Sequence, residues 1–116
     1  MLYGATNNPL RPVQDEIRTL AGLGFDYLEL CLDPPECHPE NLLRQRDQIR
    51  MTCEETGLMV AVGHLPTFVW LADIYPSVRS AAVAEVVAAL EACARFDIKT
   101  AVLHPGYLTG LLRFTP

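Results

Sequence analysis

Apolar and polar positions along this chain follow two alternating patterns. Short apolar runs rich in strand-forming residues are followed by longer stretches in which apolar residues recur every three or four positions. The four short runs begin near residues 2, 25, 58 and 100, and three helical stretches separate them. The pattern predicts the element order β-α-β-α-β-α-β.

The predicted helices have recognisable starts and ends. A proline lies at the beginning of each one, where the first turn needs no backbone N–H donor. We expect helices over about residues 12–22, 39–57 and 76–96, and we expect the second to be continuous until Gly57 ends it.

The strands and their connections indicate the fold class. The predicted strands are apolar throughout, which is typical of strands covered on both faces, and helical crossovers demand parallel, right-handed pairing. The class is therefore α/β, either as a small open sheet or as about half of a (β/α)8 TIM barrel. A complete barrel takes about 250 residues. Because this chain has 116 residues and four predicted βα-type units, the arithmetic favours half a barrel.

Composition and charge narrow the function classes. Half of the residues are apolar, the net charge is −5 and no long basic run occurs, which makes nucleic acid an unlikely partner. No apolar stretch reaches the length of a membrane helix, and the first residues do not resemble a signal peptide. We therefore expect a cytoplasmic protein with no membrane association.

The four cysteines lack the C-x-x-C spacing of zinc ribbons and redox motifs, so we interpret them as reduced thiols. Cys53 and Cys93 fall on apolar helix faces and are predicted to be small core residues. A metal site formed by Cys31, Cys37 and His38 is a minor alternative to an ordinary proline-rich loop.

Two histidines carry the sharpest functional signal. In parallel α/β folds the functional groups collect at the carboxyl ends of the strands. His64 closes the third predicted strand and His104 closes the fourth, and each precedes a turn that contains proline. Paired imidazoles on adjacent strands are a frequent beginning of a zinc or other divalent-metal site. The alternative is that each histidine only forms local hydrogen bonds.

Other candidates lie at the same predicted edge. Glu29 interrupts an apolar strand, so we expect it to hold a substrate hydroxyl or a metal, or else to pair with an arginine. Phe68 and Trp70 follow His64 in one loop, and such aromatic side chains either wall a sugar or cover the core. Arg79, in the first turn of the third helix, is a weak candidate for phosphate binding.

Three segments together resemble the xylose isomerase-like barrels, which include sugar isomerases, epimerases and endonuclease IV-type enzymes. The segments are Gly24–Leu30, His64–Pro66 with Arg79 and Ser80 downstream, and Ala101–Gly106. The resemblance implies a metal-assisted site at the strand carboxyl ends. It assigns His64 and His104 as metal ligands, because endonuclease IV-type members bind zinc through histidines at the ends of strands three and four.

The resemblance also implies a function and a domain division. We expect a metal-dependent sugar or sugar-phosphate isomerase or epimerase, with zinc or manganese as the metal and a small sugar as the substrate. Glu29, Phe68 and Trp70 are the expected substrate-binding residues, and no catalytic residue is assigned. Residues 1–108 would form the amino-terminal half of the barrel, and 109–116 a tail or the start of a missing fourth helix. Isomerase members take essential ligands from later strands, so we expect this partial barrel to be incomplete for catalysis.

Three alternatives remain open from the sequence. One is half of an endonuclease IV-type abasic-site phosphodiesterase. Another is a non-catalytic half-barrel that self-associates through its exposed strand edges. The last is a truncated gene product with no function of its own.

Overall fold

The computed structural model describes residues 1–106 and contains four strands and four helices. They are β1 (Gly4–Thr6), α1 (Val13–Gly22), β2 (Tyr27–Cys31), α2 (Pro39–Arg44), α3 (Arg46–Thr56), β3 (Met59–His64), α4 (Pro76–Arg95) and β4 (Thr100–Val102). The predicted tail over 109–116 lies outside the described residues. None of the described helices is both long and apolar enough to cross a membrane.

The strands form one parallel sheet in the order β1-β2-β3-β4. The α/β class, the parallel pairing and the helical connections predicted from the sequence are thereby confirmed. Consecutive strands lie side by side, as they do in a (β/α) barrel, so all four carboxyl ends lie along one edge of the sheet. We call this edge the carboxyl edge.

The core fills the space between the sheet and the helices. Leu28 and Leu30 of β2 have no exposed surface and pack with Ile17 of α1 and Ile49 of α3. Leu28 and Leu30 alternate along β2, and Ile17 and Ile49 belong to sets of apolar residues that recur at helical spacing in their helices. The apolar pattern of the sequence therefore located all four residues. The opposite face of β2, which carries Glu29, is only partly covered.

The segment from 39 to 57 differs from its prediction as one helix. It is divided at Gln45, whose φ of −101° and ψ of 6° lie outside the helical range. The Gln45 side chain accepts a hydrogen bond from Gln14 Nε2 at 3.0 Å. The bend lets α2 pack against α4 while α3 packs against α1. No proline or glycine marks the break, so the sequence offered no local signal for it.

Burial differs along the sheet. Among the strands, β2 supplies the fully buried core residues and β3 is mostly half-buried, whereas every residue of β4 is exposed. The expectation that the strands are covered on both faces is therefore wrong for β4, whose residues Thr100–Val102 are all exposed. β4 is also an outer strand, and among residues 1–106 it pairs with β3 alone. Cys93 is buried as predicted, and Cys53 is partly buried.

Buried polar side chains tie the carboxyl ends of β1 and β2 together. The Asn7 side chain accepts a hydrogen bond from the Cys31 backbone N–H at 2.8 Å and donates one to Cys37 Sγ at 3.1 Å. Asp33 accepts one from the Thr67 backbone N–H at 2.9 Å, which fastens the loop after β3 to the loop after β2. The buried side chains of Asn7 and Asp33 are thus satisfied within the protein, as a stable interior requires.

Burial also keeps the nearby thiols protonated. Desolvation raises the pKa of Cys31 from 9.0 to about 11 and that of Cys37 to about 12. The pKa of each thiol is higher in the folded chain than in the unfolded chain. Burying these thiols therefore leaves the free energy of unfolding unchanged below pH 9, where both states are protonated, and lowers it as the pH rises through the folded pKa. At neutral pH the thiols are protonated core groups, and their raised pKa is the opposite of the lowered pKa that activates a nucleophilic cysteine.

Gly63 allows α4 to approach the sheet closely. A Cβ atom placed on Gly63 would collide with Cys93 Sγ, and Leu32 Cδ1 would lie 3.5 Å away. We expect Gly63→Ala to lower the free energy of unfolding by about 1–3 kcal/mol, because overpacking forces the helix or the strand to shift. Urea unfolding followed by circular dichroism measures the change.

Two companion variants make the Gly63 test specific. At Gly22 an added Cβ meets no atom within 4 Å, so Gly22→Ala should cause no loss of stability. Combining Gly63→Ala with Cys93→Ala removes the colliding sulfur and should recover part of the loss. Equal stability of Gly63→Ala and the parent chain would contradict the proposed packing.

The raised thiol pKa values predict slow alkylation. At neutral pH the thiolate fraction of Cys31 should be about 100-fold below that of an unfolded thiol, because its pKa is two units higher. Iodoacetamide labelling followed by peptide mass spectrometry, in the folded chain and in guanidinium chloride, measures this ratio. Rapid labelling of Cys31 or Cys37 in the folded chain would show that the interior around Asn7 is not closed.

Candidate functional site

The structure brings three of the predicted site residues together at the carboxyl edge. His64 is the last residue of β3, His104 follows β4 by two residues, and Glu29 lies in β2. His64 Nε2 lies 3.1 Å from His104 Nε2 and 4.0 Å from Glu29 Oε1. We call these residues the Glu–His–His cluster.

The strand register explains why these side chains meet. His64 pairs with Val102, so His104 lies one pleat beyond it on the same face of the sheet. Glu29 pairs with Val62, one pleat before His64, and its longer side chain spans the difference in height. A register shift between Leu28 and Glu29 creates this alignment. Without it, Glu29 would pair with Ala61 and its side chain would lie further from the imidazoles.

The cluster is shielded but remains accessible. The side chains of His64 and Glu29 are 18% and 25% exposed. The two imidazole rings are tilted by 41°, with their centroids 5.0 Å apart. The contact between their Nε2 atoms requires one ring to donate a proton and the other to accept it, or a cation to lie between them. His64 Nδ1 is buried, and no described residue forms a hydrogen bond with it.

The distance between the two imidazole nitrogens of the cluster is close to the distance between two ligands of one metal ion. Two nitrogen ligands of one tetrahedral zinc ion, each about 2.0–2.1 Å from the metal, are about 3.3 Å apart. The observed 3.1 Å is close to this value, so the two imidazoles fit a shared cation. Among residues 1–106, however, no group of three or more His, Cys, Asp or Glu side chains is arranged as a metal site. The cluster therefore offers two nitrogen ligands with one carboxylate nearby.

The aromatic residues of the loop after β3 lie in two different places. Phe68 is 81% exposed and lines a cavity of about 290 Å³ whose lining includes no member of the Glu–His–His cluster. The backbone of the segment containing Trp70 packs against Gly106, two residues after His104. Trp70 itself is 43% exposed.

Three further polar residues at this end of the molecule have hydrogen-bond partners within the protein. Asn7 and Asp33 are buried, and their oxygens bind backbone N–H groups. Arg79 donates hydrogen bonds to the carbonyl oxygens of Asp73 and Ile74, at 2.7 and 3.3 Å. Its guanidinium therefore supports the loop before α4, and the phosphate contact stays a prediction.

Sequence reasoning missed the polar pair at the cavity that Phe68 lines. His38 Nε2 lies 3.9 Å from Glu85 Oε2, and His38 Nδ1 accepts a hydrogen bond from the Glu40 backbone N–H. The sequence indicated His38 as a helix start, but no spacing rule relates it to a residue in the middle of α4. The pair exists because α2 packs against α4, which depends on the unpredicted bend at Gln45.

Solved structures of two sugar epimerases share this fold. The 3-keto-D-glucoside 4-epimerase from E. coli, in its apo form, superposes with a TM-score of 0.69 and is 22% identical, over 90% of this chain and 38% of that one. A D-psicose 3-epimerase crystallised in the presence of D-fructose gives a TM-score of 0.68 and 21% identity, over 87% and 36%. The chain thus spans less than two fifths of either epimerase. No curated protein matches the sequence significantly.

The family model of the xylose isomerase-like TIM barrel matches residues 17–113, which is most of the chain. This match agrees with the sequential parallel strands and with the half-barrel architecture of the described residues. The chain belongs to the xylose isomerase-like TIM barrel family.

Proposed function

We propose that this chain forms the amino-terminal part of the active site of a divalent-metal-dependent sugar epimerase or isomerase. The observation that carries the proposal is the meeting of Glu29, His64 and His104 at the carboxyl edge, where barrel enzymes of this architecture place their chemistry. The sugar epimerases with the same fold support the substrate class. The net charge of −5 favours a sugar over a nucleic acid.

In this proposal His64 and His104 hold the metal through their Nε2 atoms. Zinc and manganese both accept imidazole ligands, and the separation of 3.1 Å suits two ligands of one ion. When bound, such an ion polarises the carbonyl and hydroxyl oxygens of a sugar, which eases proton removal from the adjacent carbon. Further ligands would have to come from water, from the substrate or from residues beyond 1–106.

Glu29 has a separate role in the proposal. Its carboxylate lies 4.0 Å from His64 Nε2, too far for a hydrogen bond but close enough for both groups to contact one small ligand. A carboxylate at this position accepts hydrogen bonds from sugar hydroxyl groups and orients the ring against the imidazoles. Trp70 adds an apolar surface on which a sugar face can pack. The group that moves the proton is not assigned to any described residue.

Replacing either histidine of the cluster should weaken metal binding. We expect the parent chain to bind about one Co²⁺ per cluster, and His64→Gln or His104→Gln to raise the dissociation constant more than about tenfold through loss of a ligand. Isothermal titration and the visible absorption of the bound Co²⁺ measure affinity and ligand environment. His38→Gln is the matched control, because it removes a histidine at a different cavity. Unchanged binding by a variant lacking both cluster histidines would refute the assignment.

Replacing Glu29 should weaken sugar binding without abolishing the metal site. With Mn²⁺ or Zn²⁺ present, we expect D-psicose or D-fructose to bind and Glu29→Gln to reduce affinity by about fivefold to tenfold, the equivalent of one charge-assisted hydrogen bond. Saturation-transfer NMR measures sugar binding. Glu40→Gln, at an exposed position in α2, is the control. Failure to bind sugars, together with salt-dependent binding of a duplex that contains an abasic site, would favour the phosphodiesterase alternative.

A further inference from the structure

The cavity that Phe68 lines is separate from the Glu–His–His cluster, and the proposed function does not use it. Its volume of about 290 Å³ is at the lower end of the range for sites that bind small molecules. The loops after β2 and β3 and the helices α2 and α4 form its walls, through residues that include Pro34, His38, Pro66 and Glu85. None of the described lining residues belongs to β1 or β4, so the cavity is built from the two units that begin with β2 and β3.

Internal contacts hold the walls of this cavity in place. Asp33 is buried and accepts a hydrogen bond from the Thr67 backbone N–H at 2.9 Å, which joins the two loops. The packing of α2 against α4 brings Glu85 beside His38. His38 caps the start of α2, where its Nδ1 accepts a hydrogen bond from the Glu40 backbone N–H at 3.4 Å. The polar groups of the cavity are therefore positioned before any ligand binds, which lowers the entropic cost of binding.

The capping hydrogen bond determines which nitrogen of His38 carries the proton of the neutral ring. Because Nδ1 accepts a hydrogen bond from Glu40, the proton lies on Nε2, which is therefore a donor. Nε2 lies 3.9 Å from Glu85 Oε2, too far for a direct hydrogen bond. The His38–Glu85 pair thus presents one donor and one acceptor to the cavity, with room for a single ligand atom to contact both.

A hydroxyl group is the ligand group that satisfies both members of this pair. Its oxygen can lie about 2.8 Å from both atoms, accepting a hydrogen bond from His38 Nε2 and donating one to the Glu85 carboxylate. An ammonium group has no lone pair to accept from His38. A carboxylate or phosphate is repelled by Glu85 and by Asp33, which also lines the cavity. The pair therefore selects a neutral alcohol over a cation or an anion.

Apolar rings beside the pair favour an alcohol that is itself a ring. Phe68 is 81% exposed, and Pro34 and Pro66 line the same cavity. One face of a sugar ring carries C–H groups that pack on such surfaces, while the hydroxyl groups at its edge stay free to form hydrogen bonds. We propose that this cavity is a second carbohydrate-binding site, in which Phe68 and the prolines pack against a sugar ring and the His38–Glu85 pair holds one of its hydroxyl groups. The site needs no metal and does not rest on the proposed function.

A metal-free titration isolates this site from the Glu–His–His cluster. With a chelator present, methyl α-D-glucopyranoside should bind the full chain with a dissociation constant in the millimolar range, because one sugar ring offers few contacts to offset the cost of binding. Two-dimensional ¹H–¹⁵N NMR spectra locate the site. The largest shift changes should occur at residues 32–39, 66–69 and 85, which line the cavity or lie next to its lining residues.

Three substitutions test the parts of the site separately. Phe68→Ala removes the packing surface and Glu85→Ala removes the acceptor, and each should weaken glucoside binding about fivefold or more. His38→Asn removes Nε2 but keeps a side chain that caps helices well, so it should weaken binding without destabilising α2. Tyr75→Ala and Glu91→Ala are the matched controls, because they make the same changes at exposed residues directly before α4 and within α4 that are not among the lining residues. Circular dichroism checks that each variant is folded.

A second probe tests the preference for a hydroxyl group. Benzylammonium offers a ring and a cation, and it should bind more weakly than the glucoside. Tighter binding of benzylammonium that is lost in Glu85→Ala would overturn the proposal, and so would a failure of the glucoside to bind. Equal affinity of the parent chain, Phe68→Ala and Glu85→Ala, or shift changes centred on the Glu–His–His cluster, would also overturn it. Loss of Co²⁺ binding affects the proposed function alone, so the two proposals can fail independently.

Discussion

Parallel pairing of β3 with both of its neighbours is the constraint on which the rest of the structure depends. It places the ends of β2, β3 and β4 side by side, so residues far apart in sequence reach one another without any long loop. It also requires a helix between successive strands, and those helices cover one face of the sheet. Gly63 shows how tightly the two requirements are linked. The residue before His64 must lack a side chain because α4 packs directly over it.

The polar residues near the carboxyl edge have divided roles. Asn7 and Asp33 are buried and satisfied by backbone N–H groups, so they fix the loops in place. Glu29 and His64 are only partly buried, and the closest polar neighbours of His64 Nε2 are other members of the cluster. A fold gains stability when its polar groups are satisfied internally, whereas a binding site needs polar groups that a ligand can still satisfy. The first group adjoins the second, because Asn7 accepts the backbone N–H of Cys31, the residue that pairs with His64 in the sheet.

The sequence was informative where local pattern and topology act together. Apolar runs identified the four strands, and a histidine at the end of two adjacent strands predicted the cluster, because strand ends converge in any parallel sheet. Glu29 was identified by its chemistry alone, since a carboxylate in an apolar strand is costly without a role. The bend at Gln45 could not be predicted, because it results from two helix-packing contacts and not from a helix-breaking residue. The His38–Glu85 pair depends on that bend and was missed for the same reason.

The exposed strand edges and the one-sided arrangement of the Glu–His–His cluster have a common physical origin. Four parallel strands curve around half of a cavity, so they provide half of the hydrogen-bonding edges and half of the directions from which a ligand can be held. Two imidazoles and one carboxylate satisfy a cation or a sugar from one side only. Whatever strands pair with β1 and β4 must at the same time bring side chains to the opposite side of that cavity. In a barrel of this kind, completing the sheet and completing the site are therefore a single structural event.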